Sequence, residues 1–155
     1  MEMKRPPSKG RENKNETIKF KDGDSVTGIC IGNFHTYYAK FNGKYFQWAE
    51  RGTEGAKFRF RVTFAVKDGS NWTLKVLEQG NMLYESLFEL NEEYPLDTTV
   101  ITVKRKGASA TDTEYSAMPS AKVKLTKEDA AYLATLQPLD LRLDEELEMD
   151  KFNEL

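Results

Sequence analysis

One cysteine and one histidine, Cys30 and His35, are all that the chain offers in thiol and imidazole. An internal disulfide is therefore excluded, and a lone thiol fits a reducing compartment. Metal sites built on Cys and His need more ligands than these, and no calcium-loop spacing of carboxylates occurs, so no metal or other cofactor is expected. A Gly-rich phosphate loop is also missing. Neighbouring carboxylates (Asp22 and Asp24, Glu92 and Glu93, Asp112 and Glu114) fall in turns and on solvated faces, and no enzyme is expected. There is no run of about 18 apolar residues, which argues against a membrane span. The first fifteen residues, MEMKRPPSKGRENKN, are polar throughout and do not read as a secretion signal. Together these absences point to the cytoplasm.

What is present is unevenly charged. The net charge of −2 conceals five cations against two carboxylates in residues 1–15, near balance in 16–125, and three cations against nine carboxylates in 126–155. At 155 residues and 39% hydrophobic content, one ordinary domain with tails is expected. Residues 1–15, with Pro6, Pro7 and Gly10, read as a disordered basic arm. Residues 16–125 are expected to form the folded domain, 126–138 a short helix and linker, and 139–155 an acidic tail.

The centre of the domain is the run KFRFRVTFA, residues 57–65. Side chains alternate faces along a strand, so Phe58, Phe60, Val62 and Phe64 share one side while Lys57, Arg59, Arg61 and Thr63 share the other. The first side suits a core. The second is a basic face on a rigid element, with Lys75 of the next strand continuing it. A half-buried strand with a basic solvent face gives the same pattern.

Around this run the sequence alternates strands and turns. TIKF (17–20) is a short strand, and residues 25–32, SVTGICIG, form a β-branched core strand holding Cys30 as a small hydrophobe. Residues 35–41 and 44–50 flank Asn42–Gly43, a strong signal for a tight two-residue hairpin turn. That ribbon carries Tyr37, Tyr38, Tyr45, Phe46 and Trp48, with Lys40 and Lys44 at its tip. Asp68–Gly69 makes another hairpin into residues 71–78. There Trp72 shares a face with Leu74 and Val76 and reads as core, and His35 reads as a surface turn residue without a partner. From 81 to 94, Leu83, Leu87, Leu90 and Tyr94 recur at helical spacing and Pro95 ends the helix. Residues 98–106 and 112–117 return as strands, and 122–125 add an edge segment. Thr126, three residues before Asp129, caps a short helix.

Strand, ribbon, strand, strand, helix, strand, strand is the order of a mainly β, five-stranded oligonucleotide/oligosaccharide-binding (OB) barrel. The aromatic β-hairpin is then an insertion between strands 1 and 2, and the helix lies between strands 3 and 4. Such barrels hold ligands on the face of strands 2 and 3 and on the 1–2 and 4–5 loops. Single-strand binders track phosphates with cations and stack bases on aromatic rings. The cation candidates are Lys40, Lys44, Arg59, Arg61, Lys75, Lys104, Arg105 and Lys106. The stacking candidates are Tyr37, Tyr38, Tyr45, Phe46 and Trp48. A protein-interaction barrel or a single-stranded RNA binder would use the same elements.

Residues 77–119 resemble phage-encoded single-stranded DNA-binding proteins through LEQGNMLYESLFELNEEY, VKRKG and DTEYSAMP. The most specific part is Arg-x-Gly, a short loop and Asp-Thr-x-Tyr, here Arg105, Gly107, Asp112, Thr113 and Tyr115. The resemblance extends over residues 17–119. It implies an OB barrel that coats single strands during DNA replication, recombination and repair in a bacterial host's cytoplasm. It also implies an acidic tail that recruits replication or recombination proteins, here Asp144, Glu145, Glu146, Glu148, Asp150, Phe152 and Leu155. Cysteine clusters that could hold zinc in some relatives have no counterpart in this chain, so the resemblance implies no metal.

Overall fold

The structure is a computed structural model and describes residues 15–109 and 112–153. The expected basic arm, up to residue 14, lies outside the described residues. The elements run β1 (Ser25–Phe41), β2 (Phe46–Ala49), β3 (Lys57–Asp68), β4 (Asn71–Gly80), α1 (Asn81–Glu93), β5 (Ile101–Lys106), β6 (Glu114–Pro119), α2 (Lys127–Leu133) and α3 (Asp144–Asn153). The strands form one open antiparallel sheet in the order β4-β3-β1-β5-β6, with β2 paired to β1.

β1 explains most of this layout. Expected as a core strand ending at residue 32 followed by a separate ribbon, it is instead one strand of 17 residues. Its register against β3 shifts between Ile31 and His35, at Gly32 (φ +76°). A left-handed residue there lets the strand bulge and bend without stopping. Its first part pairs with β5 (Ser25 opposite Lys104), and its last residues pair with β2 (Phe41 opposite Phe46). The Asn42–Gly43 turn is also looser than expected, spanning residues 42–45. Asn42 N donates to Tyr45 O at 3.0 Å, and the Asn42 side chain accepts from Lys44 N and Tyr45 N, both at 3.0 Å. The amide side chain supplies the turn that a two-residue loop would have made from backbone alone.

The inner face of the sheet follows the β3 alternation. Phe60, Val62 and Phe64 are completely buried among Leu77, Leu83, Leu87, Ile101 and Val103, with Phe58 packed against them. Each such side chain contributes about 1.5–3 kcal/mol by leaving water. α1 lays Leu83 and Leu87 on this core and ends where Tyr94 N donates to Leu90 O, just before Pro95. Tyr94 itself, expected on the apolar stripe, stays exposed.

TIKF is not a strand but a single parallel bridge: Ile18 N donates to Val76 O and Val76 N to Glu16 O, both at 2.8 Å. The segment then crosses to β5, where Gly23 N donates to Arg105 O and Arg105 N to Asp24 O. β5 starts at Ile101 rather than 98 because Thr98 N closes a turn onto Pro95 O. β6 is displaced toward Pro119 because Asp112 is taken up by a turn, accepting from Ser109 N. Residues 122–125 form no strand; Val123 and Leu125 instead pack on a second apolar cluster.

That second cluster lies on the outer face of the sheet. Ile29, Ala65, Trp72, Val100 and Leu133 form it, so α2 covers one end of the β1–β3–β4 surface. Thr126 caps α2 by accepting from Asp129 N, as its position predicts. Trp72 Nε1 donates to Asp129 Oδ1 at 3.1 Å, and Lys67 Nζ lies 4.7 Å from the Trp72 ring centroid.

Candidate nucleic-acid interface

Residues directly opposite in an antiparallel pair share a face, so the registers fix which candidates meet. His35 faces Arg61, Tyr37 faces Arg59, Ala39 faces Lys57 and also Trp48, and Phe41 faces Phe46. On β4, Glu78 faces Arg61. These side chains make one continuous patch on the outer face, next to the end covered by α2.

The patch is polar at its centre. Tyr37 Oη and Arg61 Nε both donate to Glu78 Oε2. Tyr37 is buried, and burial first, then the Glu78 charge, pushes its phenol well above the ordinary value. Both groups, expected to touch nucleic acid, are instead held by the Glu78 carboxylate, which composition and alternation do not mark as part of the site. Arg59 is placed differently. Its guanidinium carbon lies 4.1 Å from the Phe46 ring centroid, and its Nε is enclosed with no hydrogen-bond partner among the described residues. Beyond it the ribbon tip is open, with Phe41 53%, Tyr45 48% and Phe46 40% exposed beside exposed Lys44 and Lys57.

Several candidates fall elsewhere. Tyr38 and Lys40 point to the opposite face; Tyr38 packs edge-on against Phe58 at 5.9 Å. Lys75 does not continue the basic face. It stands opposite Phe64, on the core side of the strand, and its Nζ lies 3.4 Å from Glu16. Lys104 and Lys106 are exposed on β5, beside the far end of β1 from Arg59.

Arg105 is a structural tie. Its Nη1 donates to Phe20 O at 2.6 Å and its Nε to Gly107 O at 3.2 Å. Gly107 N donates to Asp22, and Tyr115 meets Phe20 edge-on at 5.7 Å. Gly107 sits at φ +106°, and a Cβ there would fall 2.2 Å from Asp112 O. The Arg-x-Gly…Asp-Thr-x-Tyr pattern thus holds residues 20–24 against the β5–β6 hairpin.

The first part of the expected acidic tail is seated on the sheet: residues 139–147 lie along the patch. Leu139 N donates to Thr63 Oγ1 at 3.0 Å, and Arg61 Nη1 donates to Leu141 O at 3.3 Å. Leu143 packs with Tyr37, Ala39 and Trp48. Glu146 Oε1 accepts from Leu143 N and meets His35 Nε2 at 2.8 Å, so His35 is neither in a turn nor alone. Asp144 and Glu145 line a hollow with Lys44, Tyr45, Phe46 and Arg61. The physical reason is that three spaced apolar residues (Leu139, Leu143, Leu147) give this acidic segment a side to bury; Leu143 and Leu147 are 8% and 7% exposed. Glu148 is exposed on α3, the same helix includes Asp150 and Phe152, and Leu155 lies outside the described residues.

Among the described residues no group of His, Cys, Asp and Glu is arranged to hold a metal ion, and no helix is long and apolar enough to cross a membrane. No protein-family model, no curated protein and no solved structure matches the chain.

Proposed function

We propose that the protein binds single-stranded DNA without sequence preference, on the outer face of β1 and β3 and along the β1–β2 ribbon. In this reading the sheet is an OB barrel in which residues 16–24 run from the β4 edge to β5, and the ribbon is its elaborated 1–2 loop. The observation that carries it is the alternation of cations and open aromatic rings on one surface: Lys44, Tyr45, Phe46, Lys57 and Arg59, the last two placed on that face by their register with Ala39 and Tyr37. Cations there meet phosphates and the rings stack on bases, each stack contributing about 1–3 kcal/mol whatever the base. Residues 139–147 occupy the neighbouring part of the face with carboxylates and compete for it. Once displaced, the acidic end is free to engage replication or recombination proteins, which is the role the phage resemblance implies.

The test is a fluorescence titration with oligo-dT, duplex DNA and oligo-U at several salt concentrations. Trp48 lies on the face and supplies the signal, whereas Trp72 is shielded beneath α2. With Lys44, Lys57 and Arg59 on phosphate, the log–log salt slope is roughly −2, and duplex binds far more weakly. A slope near zero defeats the proposal, and tighter binding of oligo-U than oligo-dT moves it to RNA.

A further inference from the structure

A second surface, away from the ribbon, has no part in this reading. Two adjoining hollows of about 500 and 260 Å³ share Cys30, Gly32 and Asp97 as walls. The larger runs under α1, past Phe34, Tyr84, Leu87 and Phe88; the smaller continues to Ala130 and Leu133 of α2. They meet at the β1 bulge, the larger on the α1 side of the sheet and the smaller, more apolar one on the α2 side. Phe88, on the rim of the larger, is 61% exposed, the most exposed large hydrophobic residue described. Burial pushes the Cys30 thiol up to about 12, so it lines the groove as an inert apolar wall.

On its α1 side the charge around this groove is of one sign, while Lys124 and Lys127 stand exposed beside the α2 end. From Gly80 to Val103 there is no lysine or arginine, while Glu85, Glu89, Glu92, Glu93 and Asp97 are all present. α1 has no basic residue in its last turn, so the partial negative charge of its carbonyl end adds to the carboxylates beside the groove. A solvated acidic helix needs no exposed phenylalanine. An apolar floor with an anionic rim matches a ligand that is cationic at its edges and bulky and apolar at its centre.

We propose that the α1 side of this groove docks a short basic segment of a partner protein, one that inserts an aromatic or aliphatic side chain beside Phe88 and sets lysines or arginines against Glu89, Glu92 and Asp97. The groove is separate from the ribbon, so the partner and a nucleic acid are held at the same time. This surface does not depend on the DNA-binding reading and is tested apart from it.

The probe is a capped eight-residue peptide alternating lysine with leucine and phenylalanine, titrated into the full chain and followed by amide shifts in NMR. All-lysine and glutamate-substituted peptides are the controls. Saturable shifts are expected at Phe34, Tyr84, Phe88 and Asp97, with and without oligo-dT. Phe88→Ser, at an exposed position, weakens the peptide about tenfold and leaves the melting temperature and oligo-dT affinity unchanged. Glu89→Lys with Glu92→Lys makes the groove prefer the glutamate peptide. The proposal is overturned if shifts centre on residues 140–153, if all-lysine binds equally well, or if no saturation occurs near about 1 mM. It is also overturned if deleting residues 1–14 sharply tightens the peptide, since the chain's own basic arm would then be the occupant.

Discussion

The outer face of the sheet is covered twice, and the two covers are built differently. α2 and its flanks seat Leu133 and Leu136 on Ile29, Ala65 and Trp72, an apolar contact with one polar clasp from Trp72 to Asp129. Residues 139–147 seat Leu143 on Tyr37 and Trp48 and otherwise hold by hydrogen bonds to Thr63 and Arg61 and by the Glu146–His35 pair. Buried apolar contact has no alternative in water but loss, whereas hydrogen bonds and ion pairs exchange for water or for another anion at little net cost. The first cover is part of the fold. The second is the kind that a competing polyanion can remove.

The largest expected effect breaks the first cover. Trp72→Ala removes the centre of the outer cluster and costs about 3–5 kcal/mol in denaturant unfolding, while Leu143→Ala costs nearer 2 kcal/mol. If the two are equal, the covers do not differ in the way described. Next come the open residues of the second region. Phe46→Ala weakens oligo-dT by about 1–3 kcal/mol with the salt slope unchanged, whereas Arg59→Ala flattens that slope by about 0.7. Ending the chain after Pro138 has a smaller effect of opposite sign. Binding tightens several-fold at low salt, and the difference from the full chain fades as screening grows. Equal affinity across salt would leave the segment without a competing role.

The smallest effect sharpens the polar clasp of the first cover. Donation from the Trp72 N–H holds the Asp129 carboxyl below its usual range, with Thr126 and Lys67 adding to this. A carboxyl lowered in the folded state adds stability above its unfolded value and loses it as pH falls through the folded one. α2 therefore loosens first at acid pH, seen as a change in Trp72 emission, and Asp129→Asn removes that step.

The architecture was legible wherever a period was strong. Large residues at every second position set β3, the Leu83–Leu87 spacing set α1, and the Thr126 side chain marked the start of α2. The hairpin at Asp68–Gly69 fixes the register of the whole β3–β4 pair. Pairing Asp68 with Asn71 carries through to Arg61 opposite Glu78 and Phe64 opposite Lys75, which places one carboxylate in the basic patch and removes one lysine from it. β1 was cut at Gly32 because a glycine reads as punctuation, and only its partners on both sides show that the strand continues. The seating of residues 139–147 was hidden for another reason: acidic composition dominates the segment, while its attachment rests on three spaced leucines and a few main-chain groups that composition does not weigh.

The length of β1 has a consequence for synthesis. Its early residues are made long before β5, which begins at Ile101, 60 positions after Phe41 ends the strand. At about 5–20 residues per second this interval is roughly 3–12 s. During it β3 and β4 can zip onto the nascent strand from one side, while its other edge stays open beside the exit tunnel. The contacts of Arg105 with Phe20 and Asp24 come still later, so the earliest segment of the domain is fastened by one of its last strands. A chain stalled before Lys106 presents an unpaired, β-branched edge to its neighbours on the same messenger, and polysomes are where this fold is most exposed to misassembly.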